Sequence, residues 1–549
     1  MSFSRVYSAQ THLLKGKIVT VEVDITKNTL HAFTLVGLPD KAVDESKDRM
    51  SSALKNSGFK SPKNQNQKIV ISLSPADLKK EGPYFDLAIA LAYLLSAEKI
   101  DFDPKGKIFL GELSLNGELQ PIKGVLPLTE QARRLSYKEI FVPIANAKEA
   151  ALVKGITVYG AKSLKEVIDH ISKIKPDPST TLGAGKNGRP IEKEHPEILP
   201  QTPTEIIHKN IIHDIDFSDI RGQESAKRGL EIAAAGGHNI ALSGPPGTGK
   251  TMLARVFSHI LPELSNDEIL EITGIHSIVG LLEDALVTEP PFRAPHHTAS
   301  YVSMIGGGTN PKPGEVTLAH KGVLFLDEFP EFEKRVLEAL RQPLEDNIVS
   351  ISRARGSAIF PSNFVLVAAM NPCPCGNKGN KDKNCICKPS DLDRYARRIS
   401  GPIIDRIDLW VTVGNVDYRK LGDETGTGEK TQAIKNRVKN ARLIQEKRFS
   451  KLEKPASAKP ARQLAGGATG GRRIKTNSEM NVKDLGSIVK LKKEVRDILD
   501  DSAERLAFSA RAYHRVIKIA RTIADLENSE DVQAKHILEA IQYRPKVNM

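Results

Sequence analysis

The sequence predicts an α/β protein, and two observations support this prediction. Short apolar runs alternate with longer amphipathic stretches, as in a strand predicted at 68–73 and a helix predicted at 84–95. A glycine-rich loop at 244–251 lies between a buried strand predicted at 238–243 and a helix predicted at 252–260. A strand, a phosphate-binding loop and a helix in this order are typical of nucleotide-binding α/β proteins.

Length and charge limit the class of protein. The chain has 549 residues, which suits two to four domains, and 40% of them are hydrophobic. Lys and Arg number 80 against 67 Asp and Glu, a formal charge of +13 that suits a polyanion such as nucleic acid or simply favours solubility. No apolar run reaches about 18 residues, and the N-terminus lacks a signal-peptide pattern. We therefore expect a cytoplasmic protein without membrane contact.

The glycine-rich loop has the pattern of a phosphate-binding loop that would bind ATP. Its glycines let backbone N–H groups turn toward phosphate oxygens, and the following helix begins with a dipole that favours anions. Lys250 can reach the β- and γ-phosphates, and the hydroxyl of Thr251 can hold Mg²⁺. The predicted nucleotide-binding residues are Gly244, Pro245, Pro246, Gly247, Thr248, Gly249, Lys250 and Thr251.

Two further predicted strands end in polar residues. The apolar run at 322–328 ends in Asp327 and Glu328, the pattern in which an Asp binds Mg²⁺ and a Glu polarises the attacking water. The run at 364–371 ends in Asn371, which can hydrogen-bond the water or the γ-phosphate. Arg406 precedes another predicted strand; it suits either an arginine finger that reaches a neighbouring subunit or a salt bridge with Asp405 or Asp408.

The chain's four cysteines are clustered, which argues against a disulfide scaffold. They form two Cys-X-Cys pairs separated by nine residues: Cys373, Cys375, Cys385 and Cys387. Four thiolates suit a tetrahedral structural Zn²⁺, although the spacing is tighter than the usual two-residue gap and free thiols are the alternative.

The first domain, at 1–174, is predicted to have a mixed α/β order. The motifs at 82–83, 111–117 and 120–124 resemble the proteolytic domain of Lon proteases, which has the ribosomal S5 domain 2-like fold, and its relative, the ChlI-type domain at the N-terminus of magnesium-chelatase-like ATPases. The resemblance puts a nucleophilic Ser where this chain has Tyr84 and a Lys near Leu126. Because neither position supplies the dyad, we predict a degenerate, non-proteolytic domain that serves as a scaffold or DNA-binding accessory.

The region 205–414 resembles the AAA+ ATPases of the magnesium-chelatase-like group and, within it, the ComM/YifB family. The resemblance rests on the runs at 291–297, 306–308, 313–320, 343–345, 349–354, 368–376 and 400–408. It implies that Asn371 is sensor 1, that Arg406 is a trans-acting arginine finger, and that subunits form a ring, expected to be a hexamer. The run at 509–515 resembles the sensor-2 motif, which implies that Arg511 reaches the γ-phosphate.

Two segments are predicted as insertions into this AAA+ core, at 274–311 and 346–363. The second has the pattern of a hairpin, and Arg353 and Arg355 near its turn suit either phosphate binding or a solvated tip. His296 and His297 could suggest a metal site, but adjacent residues on a strand point to opposite faces. We therefore expect a structural or subunit-interface role for them.

The remaining segments are a linker and a helical region. A proline-rich linker is predicted at 175–204 and a helical lid at 415–549, with a disordered basic insertion at 450–475. The basic balance, Arg353 and Arg355, and the resemblance to the ComM/YifB family favour an ATP-dependent DNA motor. The resemblance implies a branch-migration helicase that acts on single-stranded or branched DNA in recombination and natural transformation. The alternatives are an ATPase that remodels a protein partner, like the magnesium-chelatase I subunit, and a Lon-like protease, for which the sequence offers no nucleophile.

Overall fold

The structure is a computed structural model that describes residues 3–172, 197–207, 213–308, 311–353, 356–379, 383–414, 428–451 and 474–545. Most of the predicted linker at 175–204 and of the predicted insertion at 450–475 lies outside these ranges. So do Arg355 and the side chain of Arg353, and their predicted role stays a prediction. The chain divides into one unit of Met1–His208 with Asn266–Thr288 and another of Lys209–Ser265 with Glu289–Met549.

The main sheet of the first unit is built from strands with alternating burial. Among the described residues its strand order is Phe3–His12, Lys15–Lys27, Gln67–Ser74 and Ala32–Val36. The first three strands pair antiparallel, and the last pairs parallel. The core-facing residues of the second strand share branched apolar side chains: Val19, Val21, Val23 and Ile25.

Shorter strands complete the first unit. Three of them pair in parallel: Lys107–Phe109, Glu139–Pro143 and Thr157–Ala161. The sequence at 107–119, with Asn116-Gly117 at its centre, predicts a hairpin, and the antiparallel pair Glu112–Leu113 and Leu119–Gln120 confirms it. Lys107–Phe109, however, leaves that hairpin and joins the parallel strands.

The helices of the first unit are Lys41–Asp44, Ser46–Asn56, Asp86–Ser96, Val125–Arg134, Ala147–Ala150, Leu164–Ile171 and Asn266–Val279. The helix Asp86–Ser96 is apolar on nearly every face because it is buried against the main sheet. Its first residue, Asp86, is fully buried and accepts hydrogen bonds from Ser46 and from Arg49, whose Nε lies 2.6 Å away.

The last of these helices comes from a distant part of the chain. Asn266–Val279 lies within the predicted ATPase module along the sequence, but it packs with the first unit, against Val125–Arg134. Ser277 donates its hydroxyl to the carboxylate of Glu149, which also accepts from the backbone N–H of Leu126 at 2.8 Å. Burial raises the pKa of Glu149 despite these bonds.

The two positions of the Lon-type dyad hold no catalytic pair. Tyr84 lies with its hydroxyl 3.5 Å from Thr11 Oγ1, and burial raises its pKa. Leu126 is 4% exposed and packs in the helix Val125–Arg134. An alkyl side chain cannot act as a base, so these residues cannot perform Ser–Lys chemistry. The Lon-type assignment of the domain stays a prediction.

A parallel sheet forms the centre of the second unit. Within the ranges given above its strand order is Phe292–Arg293, Val323–Leu326, Val365–Met370, Ile240–Ser243 and Leu409–Thr412. Residues of Ile240–Ser243 and Val323–Leu326 are buried throughout, as expected for strands covered on both faces. Because all five strands are parallel, their carboxyl ends meet at one edge of the sheet. This confirms the predicted α/β class.

The helices of the second unit are Glu224–Gly236, Lys250–His259, Tyr301–Ile305, Glu315–Leu318, Lys334–Ala339, Arg341–Asp346, Pro389–Ala396, Gly401–Ile404, Thr431–Ser450, Val482–Ile488, Lys493–Arg505, Ala510–Leu526 and Ala534–Gln542. Ser509 caps one of them by accepting from the N–H of Ala512 at 3.2 Å. The last five lie in the region predicted as a lid, a role that stays a prediction.

The predicted hairpin insertion is present. The strands Ile348–Arg353 and Gly356–Pro361 pair antiparallel, with Val349 opposite Phe360, as expected from the apolar pattern. Across the described part of the chain, no helix has the length and apolar character needed to cross a membrane.

Candidate nucleotide-binding site

The phosphate-binding loop connects the central strand Ile240–Ser243 to the helix Lys250–His259. Gly247 and Gly249 have φ angles of +78° and +84°, a region that glycine enters without strain. At Gly244 a Cβ atom would lie 2.1 Å from the carbonyl oxygen of Val413, so only glycine fits. The loop thus has the backbone that a phosphate site requires.

The side chain of Lys250 packs against the backbone of this loop. Its Nζ donates to the carbonyl oxygens of Gly244 at 2.7 Å and Pro245 at 2.8 Å, and it lies 3.3 Å from Oδ1 of Asn371. Burial lowers the pKa of Lys250, and the charge of Asp327 opposes that shift. The amine therefore already contacts the predicted sensor residue across the sheet edge.

Two oxygen ligands suited to Mg²⁺ lie together beside the loop. The hydroxyl of Thr251 donates to Oδ2 of Asp327 at 3.0 Å, although 76 residues separate them in the chain. A hydroxyl and a carboxylate next to a phosphate-binding loop are the protein ligands that Mg²⁺ takes in nucleotide sites. These two residues could hold the ion.

Glu328 follows Asp327 with an unusual backbone. Its φ angle is +51°, which carries the chain from the strand Val323–Leu326 into a short 3₁₀ turn, Phe329–Glu331. Oε2 of Glu328 lies 3.1 Å from Nδ1 of His297, and the side chain is 54% exposed. The predicted water-activating carboxylate is therefore paired with a histidine.

The prediction for the two histidines is wrong in one respect. His296 and His297 do not lie on a strand with opposite orientations, because the chain turns at 297–298 after the strand Phe292–Arg293. Their ring centroids lie 4.1 Å apart. Sequence reasoning missed the contact of His297 with Glu328, since no local pattern relates the two residues.

Arg406 and Arg511 meet on one carboxylate. Both pair with Glu345: Arg406 through Nη2, and Arg511 through Nη2 at 2.5 Å from Oε1. Burial raises the pKa of Glu345, but the hydrogen bonds and charges of the two guanidinium groups outweigh it and lower that pKa. Among the described contacts, neither arginine reaches residues 244–251. The predicted link of Arg406 to Asp405 or Asp408 is not made either; Glu345, which sequence analysis gave no role, takes that place.

A buried ion pair between Asp408 and Arg515 lies close after Arg406 in the chain. Asp408 is 7% exposed, and its Oδ1 lies 2.9 Å from Nη1 of Arg515. Its Oδ2 lies 3.4 Å from Nδ1 of the fully buried His238. Burial raises the pKa of Asp408, but Arg515 and His238 outweigh burial and lower it. This pair fixes the chain just after Arg406.

The four cysteines form one cluster. Their Sγ atoms all lie within 4.8 Å of one another, and three separations involving Cys373, Cys375 and Cys385 are 3.4, 3.7 and 3.6 Å. Tetrahedral Zn–S bonds of about 2.3 Å would place sulfurs roughly 3.8 Å apart. Backbone N–H groups of Asn377 and Ile386 lower the pKa of Cys375 to about 6, whereas burial and the neighbouring thiols raise the pKa of Cys385 and of Cys387. The donor set therefore fits Zn²⁺.

The cysteine loop, residues 373–387, contacts the nucleotide site, and so does the helix Pro389–Ala396 that follows it. A Cβ on Gly376 would lie 2.7 Å from Cδ of Pro246, so the two loops are in close contact. The hydroxyl of Tyr395 donates to the backbone oxygen of Asn371 at 3.1 Å. The cysteine cluster is thus attached to the phosphate-binding loop and to the predicted sensor residue.

Three protein-family models together match most of the chain. The family model described as Magnesium chelatase, subunit ChlI matches residues 216–421, which include the loop, Asp327 and the cysteines. The model described as Subunit ChlI of Mg-chelatase matches 21–146, and that for the C-terminal part of the magnesium chelatase subunit ChlI matches 428–544. The site therefore belongs to a magnesium-chelatase-like AAA+ protein.

Relatives that match over their full length identify the family within the magnesium-chelatase-like group. The chain is 38% identical to Competence protein ComM of Haemophilus influenzae over 100% of this chain and 99% of that protein. It is 39% identical to protein YifB of Escherichia coli, over 99% of this chain and 97% of that protein. The chain belongs to the ComM/YifB family. A more distant relative, the DNA replication licensing factor Mcm6 of Drosophila melanogaster, is 22% identical over 61% of this chain and 37% of its own length.

Proposed function

We propose that this chain hydrolyses ATP at the site built around Lys250, Thr251, Asp327 and Asn371. The observation that carries the proposal is the meeting of Thr251 Oγ1 and Asp327 Oδ2 at 3.0 Å beside the phosphate-binding loop. Mg²⁺, when bound there, neutralises charge on the β- and γ-phosphates. Lys250 exchanges its bonds to the loop carbonyls for bonds to phosphate oxygens, and Asn371, which it already contacts, orients toward the γ-phosphate.

In this proposal Glu328 polarises the attacking water. Its carboxylate is held by His297. To accept a proton from water near the γ-phosphate, the side chain must rotate away from the imidazole. Hydrolysis therefore requires that the contact between Glu328 and His297 open.

We further infer that Arg406 and Arg511 act together on the nucleotide of a neighbouring subunit. The inference rests on their shared partner, Glu345, which holds the two guanidinium groups side by side. If Arg406 is the trans-acting finger implied by the family resemblance, Arg511 must face the same neighbour. Such a site is complete only between subunits, which supports a homo-oligomeric ring, expected to be a hexamer.

The work done with ATP is proposed to be movement of DNA. The Haemophilus influenzae relative is named a competence protein, and the distant relative Mcm6 is named a DNA replication licensing factor. The surplus of 13 positive charges suits a polyanionic partner. We propose a ComM-like helicase that drives branch migration on single-stranded or branched DNA.

The cysteine cluster is proposed to hold a structural Zn²⁺. Cys373, Cys375, Cys385 and Cys387 supply four ligands and leave no open position for water. Because the loop contacts Pro246 and is joined to Asn371, the ion would stiffen the nucleotide site rather than take part in hydrolysis.

A second candidate function is the remodelling of a protein partner. It is favoured by the match of residues 216–421 to the magnesium chelatase subunit ChlI. The two candidates share the ATP site and differ in what the ring acts on.

ATPase rates with and without single-stranded DNA separate the two candidates. For a DNA motor we expect strong stimulation of the purified full-length chain, lost in Glu328→Gln, followed by movement of a branched junction. A rate indifferent to DNA would favour the protein-remodelling ATPase. A purified ring that neither binds DNA nor moves a junction would exclude the motor.

A further inference from the structure

A basic groove lies beside the nucleotide site in the second unit. Its volume is about 680 Å³, within the range of about 300–1,000 Å³ that ligand sites occupy. One wall is the chain after Glu328, and the other is the helix Pro389–Ala396 with the residues that follow it. The charged side chains that line the groove are Lys334, Arg394, Arg397, Arg398, Glu331 and Asp393.

Only part of this charge is neutralised locally. Arg398 pairs with Glu331, and Arg394 pairs with Asp391 at 2.6 Å. Lys334 and Arg397 make no hydrogen bond or ion pair from their side chains to any other described residue. The groove therefore offers cations to an external anion, and the exposed guanidinium of Arg394 can add to them because it is 77% exposed.

Both walls are tied to the predicted catalytic residues. The N–H of Glu331 donates to the backbone oxygen of Glu328 at 2.7 Å, so the first wall begins at the residue proposed to polarise water. Tyr395, on the second wall, donates to the backbone oxygen of Asn371 at 3.1 Å. A ligand that drew the two walls together would act on Glu328 and Asn371 at once.

We propose that this groove binds the phosphodiester backbone of single-stranded nucleic acid. Arg394 and Arg397 contact successive phosphates, and binding breaks the pair between Arg398 and Glu331 to free a third cation. The inference rests on the proposed DNA motor and adds the place where the strand is sensed. It also supplies a route from the strand to hydrolysis, through the two backbone contacts of the walls.

The test compares binding of fluorescein-labelled oligo(dT) to the full-length chain by fluorescence anisotropy at several salt concentrations. For R394A/R397A we expect about tenfold weaker binding near 0.1 M salt and a salt slope smaller by about 1.4, since each lost contact to single-stranded phosphate removes about 0.7. The control K483A/K493A also removes two positive charges, from exposed helix positions outside the groove, and should bind as the wild type does.

The outcomes separate this inference from the proposed function. A wild-type chain that fails to bind oligo(dT) overturns both. Wild-type binding that R394A/R397A retains in full, with an unchanged salt slope, overturns only the groove. Inorganic tripolyphosphate that displaces oligo(dT) at equal phosphate concentration would make the groove a free-polyphosphate site and contradict the proposal. Loss of oligomer assembly with unchanged DNA affinity would make it a subunit contact instead.

Discussion

Nδ1 of His297 lies 3.1 Å from Oε2 of Glu328, so an imidazole holds the carboxylate proposed to activate water. The two residues come from different elements: His297 follows the edge strand Phe292–Arg293, and Glu328 follows the next strand of the sheet. The left-handed backbone at Glu328 turns its side chain out of the strand, toward the histidine. Turnover in the proposed mechanism begins with the loss of this contact.

We expect His297→Ala to raise the ATPase rate measured without DNA. A polar contact at this exposure is worth about 0.2–1 kcal/mol, so its removal should raise the rate by about 1.4- to 5-fold. The rate with saturating DNA should change less, and the ratio of the two rates should fall. His296→Ala, which alters the neighbouring ring, is the control. A loss of turnover with normal nucleotide binding would mean that His297 assists catalysis instead of restraining Glu328.

We expect Glu345→Gln to weaken hydrolysis in the assembled ring without weakening nucleotide binding. The neutral amide no longer holds the guanidinium groups of Arg406 and Arg511 side by side. Loss of one charge-assisted contact, about 1.5 kcal/mol, should lower kcat about tenfold and leave the Kd of a fluorescent ADP analogue unchanged.

Glu338→Gln provides the matched control for this test, because Glu338 pairs with Arg341 on the neighbouring helical turn and not with Arg406 or Arg511. An unchanged kcat in Glu345→Gln would show that the shared carboxylate does not position the arginines. A raised kcat would show that it holds them away from the nucleotide.

We expect the purified chain to carry about one zinc ion, measured by elemental analysis. The double variant Cys385→Ser/Cys387→Ser should lose the ion and lower both Tm and ATP affinity, because the cysteine loop contacts Pro246 and is anchored to Asn371 through Tyr395. Ser390→Ala, just beyond the loop, is the control. Four thiols that react freely with a thiol reagent in active, zinc-free protein would support the free-cysteine alternative.

We expect the free energy of unfolding of the second unit to fall as the pH drops below 6.5. Burial lowers the pKa of His238 from 6.5 in the folded protein, against the opposing effect of Asp408. The unfolded chain therefore takes up this proton first, and stability present above pH 6.5 is lost as the pH falls toward the folded pKa.

Urea unfolding at pH 7.5, 6.5 and 5.5 measures this decline. His238→Gln, although less stable at pH 7.5, should show a shallower fall. His296→Gln, at an exposed position, should keep the wild-type slope. An unchanged slope in His238→Gln would assign the decline to other groups.

The sequence predicts the parts of the site that follow from local chemistry. Asp327 and Asn371 each follow an apolar run, and Lys250 and Thr251 follow the glycine-rich loop after another such run. Parallel strands bring these positions to one sheet edge. Asn116-Gly117 favours a tight turn and Ser509 favours a helix N-cap, and both are present, because turn and cap preferences act over a few residues.

The contacts that were not predicted join residues with no shared local pattern. Glu345 lies 61 residues from Arg406 and 166 from Arg511, and its role depends on how three elements pack. The contact of His297 with Glu328 is of the same kind, and there the assumption of a continuing strand was wrong. The packing of Asn266–Val279 with the first unit also lacks a sequence signal, because an amphipathic helix does not specify its partner.

The packing of the helix Asn266–Val279 with the first unit determines when that unit can finish folding during synthesis. A ribosome completes the strands of the first unit long before it makes the helix Asn266–Val279, and it makes the whole phosphate-binding loop in between. Until Ser277 emerges, the carboxylate of Glu149 lacks its hydroxyl partner, and the helix Val125–Arg134 lacks the surface it packs against. The first unit therefore cannot complete its packing until a segment encoded beyond the phosphate-binding loop has been synthesised. A fragment that ends near residue 172 lacks the helix Asn266–Val279 altogether.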